Sequence, residues 1–180
     1  MRGRVKAAVA GALVAGAAVA GTVAMADGGH GIRETLTGYQ EDPLTLSTTG
    51  SGDFQASIKA KGDTIKYSLS YADLEGTVQQ AHIHLGQRAQ SGGIAVFLCT
   101  NLPNAPVGPP VQKCPPAPAT ITGTITPADV TGPAAQGIAV GEFGELTDAI
   151  RAGVTYVNVH SDKYPGGEIR AQLEPQNDDH

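Results

Sequence analysis

The sequence predicts a mainly β domain, an antiparallel sandwich or Greek-key barrel carrying one short helix. Three observations predict it. Apolar and polar residues alternate with a period of two over most of the chain. Gly, Pro or Asp punctuates most gaps between the alternating runs. One segment alone carries the helical period.

The elements follow in order. Residues 32–39 form the first strand candidate. Phe54, Ala56, Ile58 and Ala60 then alternate with polar neighbours, Lys61-Gly62-Asp63 makes a turn, and Ile65, Tyr67, Leu69 and Tyr71 alternate again, which is a β-hairpin pattern. Further strands are expected at 77–85, 93–98, 119–126, 154–160 and 167–173. Between Glu142 and Ala152, Phe143, Leu146, Ala149 and Ile150 recur at helical spacing, with Gly153 as a stop. Residues 27–31 read as a flexible lead-in and 175–180 as a polar tail, so His30 and His180 are expected in solvent. The domain is expected over residues 33–174, with no internal repeat. The Pro-rich stretch Leu102–Pro118 reads as an excursion between strands.

The first 26 residues have the pattern of a signal peptide. Arg2, Arg4 and Lys6 precede the apolar run AAVAGALVAGAAVA, and Ala24-Met25-Ala26 offers a cleavage site. The expected destination is secretion, the periplasm or the cell envelope of a bacterium, with no membrane attachment after cleavage. Removing the three basic residues takes the net charge from −5 to −8, with 9 basic residues against 17 acidic. That balance disfavours nucleic acid and anionic lipid as partners; an unknown protein or envelope partner is expected instead. The chain has no Trp and is 4% aromatic, so the core is expected to come from Val, Ile, Leu and Ala. In an oxidising compartment the two cysteines, Cys99 and Cys114, are expected to pair. Such a closure is worth about 3 kcal/mol on the chain-entropy model.

Three motifs carry chemistry. In Ala81-His82-Ile83-His84-Leu85-Gly86, strand alternation puts both imidazoles on one face, where they can converge on one ion. In Val154–Ser161, Tyr156, Asn158 and His160 share a face. In Pro165–Gln172, Glu168, Arg170 and Gln172 share the face opposite Ile169 and Ala171. The connection SDKYPGG is hairpin-sized, which puts His160 and Glu168 on neighbouring strands. The acidic pair Glu41-Asp42 reads as solvated loop.

AHIHLG followed by YVNVHSDKYPGGEIRAQ, with LTGYQEDP near the start and TITGTITPADV between, resembles the CHRD domain, named after chordin. The resemblance covers roughly residues 33–174. Ser161 and Ala171 depart from the family pattern, which usually has Thr and Gly there. It implies an extracytoplasmic immunoglobulin-like β-sandwich and no established activity. The domain occurs in animal regulators of growth factors, a role that does not transfer to a stand-alone bacterial copy.

Two functions follow from the motifs. The first is a non-catalytic binding or structural module, in which His82, His84, Asn158 and His160 form a hydrogen-bonded cluster and Glu168 and Arg170 make cross-strand ion pairs. In that first reading Glu168 and Arg170 could instead hold the hairpin. The second is a copper or zinc site on His82, His84 and His160, with Glu168 orienting a ring or completing the shell. That arrangement is similar to the copper/zinc superoxide dismutases, which also carry H-x-H on a sandwich strand. Dismutase chemistry itself resembles a site with four copper histidines, whereas this chain has three outside its tails. No nucleophile elbow or phosphate-binding loop is present in the sequence.

Overall fold

The computed structural model describes residues 31–59 and 63–174. The predicted signal peptide, the polar tail, His30 and His180 all lie outside the described residues, as do Ala60, Lys61 and Gly62. No helix among the described residues is long and apolar enough to cross a membrane.

Among the described residues, eight strands and one α-helix form where the two periods predict them. The strands are β1 (Gly31–Thr37), β2 (Ser51–Lys59), β3 (Thr64–Ala72), β4 (Val78–Leu85), β5 (Gly93–Thr100), β6 (Ala119–Ile125), β7 (Thr155–Ser161) and β8 (Ile169–Leu173). The helix α1 spans Phe143–Arg151 and buries Phe143, Leu146, Thr147 and Ile150. The first strand starts at Gly31, inside the stretch expected to be a flexible lead-in, because Gly31 pairs with Ser57.

All strand pairs are antiparallel, in the order β5-β4-β7-β8-β1-β2-β3-β6. β8 and β1 share one register pair, Thr37 with Arg170, so the sheet divides there into two four-stranded halves. Its far edges approach each other. Val96 of β5 bridges Val130 just beyond β6, and the Thr131 amide donates to the Ala95 carbonyl. The sheet is therefore nearly closed around one core, a barrel-like sandwich.

In β2 and β3 the apolar side chains face that core in strict alternation. Burying one face in this way fixes the register, since a slip of one residue would turn the apolar set to solvent. The core is richer in aromatics than the composition suggested: Phe54, Tyr67, Tyr71 and Phe143 join the aliphatic residues. Tyr67 and Tyr71 keep their hydroxyls satisfied on the Leu98 and Pro115 carbonyls, linking β3 to β5 and to the Pro-rich connection.

The expected Cys99–Cys114 disulfide is formed. It pins the return of the Pro-rich loop against β5. Asn101 reinforces it, donating to the Cys114 carbonyl and accepting from the Cys114 amide.

β7 and β8 are buried on both faces. One face meets the core; three connections cover the other. These are residues 86–92 between β4 and β5, residues 41–46 after the short 3-10 turn Gly38–Gln40, and the turn 162–167 between β7 and β8. The polar face read from the motifs is thus an interior compartment.

Candidate metal centre

β4 and β7 pair so that His82 lies opposite Asn158, Gln80 opposite His160 and His84 opposite Tyr156. Strand alternation gives His82, His84 and His160 a common side. Register irregularities between β4 and β5 bring Phe97 opposite His82, where its ring packs edge-on with centroids 4.4 Å apart. The three imidazoles are 2%, 7% and 9% exposed, which removes them from bulk water. One ring nitrogen from each lies within 4.8 Å of the others.

The connections set the tautomers. His84 Nδ1 sits 3.0 Å from the Gly92 carbonyl, and His160 Nδ1 sits 3.0 Å from the Pro165 carbonyl. A carbonyl only accepts, so both rings carry their proton on Nδ1 and present a bare Nε2. His160 Nε2 then accepts from His82 Nδ1 at 3.1 Å. His82 in turn is left with a bare Nε2. The Nε2 atoms of His82 and His84 and the Oδ1 of Asn158 are buried without a hydrogen-bond partner. Acceptors have gathered where few donors reach.

Electrostatics keep the rings neutral. Burial pushes His82 down to about 2, with the neighbouring His160 and His84 adding to the effect. Burial also pushes His84 down to about 4, against the hydrogen bond to the Gly92 carbonyl. His160 is lowered by burial as well, opposed by the Pro165 carbonyl. Neutral imidazoles are the form that ligates a metal.

A stacked column supports His84. Its ring lies parallel to Tyr156, within 3°, at a centroid distance of 4.7 Å. The Arg170 guanidinium carbon lies 3.5 Å from the centroid of the same Tyr156 ring. Arg170 Nη2 donates to the carbonyls of Gln87 and Gln90, and Gln172 Nε2 to those of Gly86 and Gly153. The Gly92 amide donates to the Tyr156 hydroxyl. These bonds hold the 86–92 connection over the face. Gly92 itself cannot carry a side chain, since an added Cβ would lie 1.7 Å from the Leu85 carbonyl oxygen.

The structure separates two of the named residues from this cluster. Glu168 is fully buried, and its carboxylate accepts from the Glu75 and Gly76 amides. Arg170 is occupied by the Gln87 and Gln90 carbonyls and the Tyr156 ring. Of the two roles expected for these residues, the cross-strand ion pair gives way to bonds with backbone groups, and Glu168 neither orients an imidazole nor joins the ligand group. β8 starts one residue after Glu168, so strand alternation does not govern its side chain. The expected four-residue polar cluster reduces to the His82–His160 bond. Glu41, read as solvated loop, is 7% exposed and lies beneath the turn after β7.

Three contributors were not visible in the motifs: the Gly92 carbonyl, the Pro165 carbonyl and Phe97. Two act through backbone atoms of connections, which side-chain patterns do not report. The third depends on irregular pairing.

A family model described as the CHRD domain matches residues 32–173. No curated protein and no solved structure matches the chain.

Proposed function

The chain belongs to the CHRD domain family, and on that premise we propose that it is a non-catalytic extracytoplasmic module that holds one copper or zinc ion on His82, His84 and His160. The observation that carries this reading is the pair of buried, unpartnered Nε2 atoms beside a third imidazole, with two Nδ1 protons tied to backbone carbonyls. Histidine ligands are commonly oriented by such bonds. Imidazole suits zinc and copper.

The geometry fits with a modest adjustment. Ligand nitrogens at about 2.0–2.1 Å from a tetrahedral ion stand roughly 3.4 Å apart. One ring nitrogen from each residue lies within 4.8 Å of the others, so the widest gap closes by about 1.4 Å on binding. His82 gives up its bond to His160 in that step. The Cys99–Cys114 disulfide supports a location in an oxidising compartment, hence secretion or the envelope. A protein or envelope partner remains part of the proposal. It would meet the connections that cover the site, since the polar residues themselves are interior.

Calorimetric titration of the untagged protein with copper and zinc tests the reading. One ion per chain is expected, and His82→Ala is expected to lose at least tenfold in affinity. Equal binding by that variant would leave the histidines as a structural cluster inside a binding module.

A further inference from the structure

Beyond the Pro165 turn lies a carboxyl that the histidine cluster does not use. Glu41 is 93% buried, and its Oε1 has no hydrogen-bond partner. It lies against Gly167, where an added Cβ would come within 2.5 Å of Oε1 and 2.6 Å of Oε2. Gly167 has φ +132°, a conformation that glycine adopts freely, so the turn can pass close over the carboxyl.

The same residues line a cleft of about 330 Å³, within the range of small-ligand sites. Pro43, Leu44, Leu46 and Pro165 give it apolar walls. Leu44 is 73% exposed at the rim. The nearby cations are already engaged. Lys163 bonds the Glu75 carboxylate, and Arg170 is held by carbonyls and the Tyr156 ring. Asp42 accepts from the Ser91 hydroxyl and retains further acceptor capacity. The cleft therefore combines a buried carboxyl with one unpartnered oxygen, a second carboxylate and an apolar wall.

We propose that this cleft binds a small primary amine bearing a short alkyl chain, its ammonium on the Glu41 and Asp42 carboxyls and its chain along Pro43, Leu44, Leu46 and Pro165. The site does not depend on the metal reading, although the Pro165 turn, the 86–92 connection, Tyr156 and Arg170 border both. Burial pushes Glu41 up to about 8. The groups that face it are Arg170 from β8, Tyr156 from β7, the adjacent Asp42, Arg88 across the connection, and Lys163 with Tyr164 on the turn. An ammonium favours the ionised carboxyl, so binding releases a proton and tightens as pH rises from 6.5 to 9.

Titration of the full protein at pH 8.5 with n-hexylammonium, n-hexanol and hexanoate tests the proposal. Hexylammonium is expected to bind at least tenfold tighter than either of the others. Glu41→Gln should weaken it at least tenfold and abolish the proton release. Leu44→Lys, at an exposed position, should weaken it several-fold while leaving the melting temperature unchanged, which keeps the test decisive if Glu41→Gln unfolds. The same ranking is expected with the metal removed by chelator and in His82→Ala, so failure of one site does not imply failure of the other. No binding, equal binding of the three compounds, preference for hexanoate, or unchanged affinity in the folded variants would overturn the proposal.

Discussion

His84 and His160 each give their Nδ1 proton to a backbone carbonyl, and this residue-scale fact decides what the cluster can do. Both Nε2 lone pairs point away from those carbonyls, and burial keeps the rings neutral. The metal-free protein therefore loses stability as its buried histidines are driven to protonate. The folded histidines titrate below their ordinary value of 6.5, so between 6.5 and about 4 the unfolded chain binds protons that the folded chain refuses. Stability falls as pH drops through that window, by about 1.4 kcal/mol per pH unit for each histidine. Glu41 acts with the opposite sign. Its carboxyl is raised from 4.5 to about 8, so the folded chain keeps a proton that the unfolded chain loses, and stability falls as pH rises through that range. Several histidines outweigh one carboxyl below 6.5, and above it Glu41 acts without them. Urea unfolding in chelator is therefore expected to give maximal stability near pH 6.5. A steady rise from pH 4.5 to 8.5 would contradict the assignment. The common side of His82, His84 and His160 was legible from alternation. The carbonyl partners were not, because they belong to Gly92 and Pro165 in irregular connections. Glu41 was misread because a loop sequence does not reveal which segment folds over it.

At the scale of elements, two hairpins and their connections make the compartment. β4 and β7 supply the histidines, while 86–92 and 162–167 return over them. Glu168 belongs to this architecture, tying the start of β8 to the Glu75 and Gly76 amides. Removing a buried acceptor of this kind leaves amides without a partner, at a cost of about 1–3 kcal/mol. Glu168→Ala is accordingly expected to lose that much stability in urea while still taking up one metal ion per chain. A loss of metal stoichiometry in a folded Glu168→Ala protein would return Glu168 to the site. The strands and helix themselves were readable because one face of each meets the core. β7 and β8 are covered on both faces, and there the alternation of polar and apolar residues marks two interiors instead of an inside and an outside. This is why the polar face read from the motifs is enclosed.

Links that close the sheet include the Val96–Val130 bridge, the Thr131 amide on the Ala95 carbonyl, the tyrosine hydroxyls and the disulfide. Cys99 and Cys114 are 15 residues apart, and the loop they close is rich in Pro and exposed. Replacing both by Ala is expected to lower stability by about 3 kcal/mol, read as a shift in the urea midpoint. An unchanged midpoint would mean that Asn101 and the backbone bonds hold the loop unaided. The mainly β architecture was legible from composition and period, and the family model matches residues 32–173. How the connections fold over the sheet depends on tertiary contacts distant in sequence, such as Arg170 with Gln87 and Glu41 with Gly167. The proposed ion site rests on the three imidazoles. Long-range ¹⁵N–¹H spectra of the histidine rings, recorded before and after one equivalent of zinc, test it most directly. We predict Nδ1–H tautomers for His84 and His160 in the free protein, and a large shift of their Nε2 resonances together with one nitrogen of His82 on adding zinc. Ring nitrogens unmoved by zinc would contradict it.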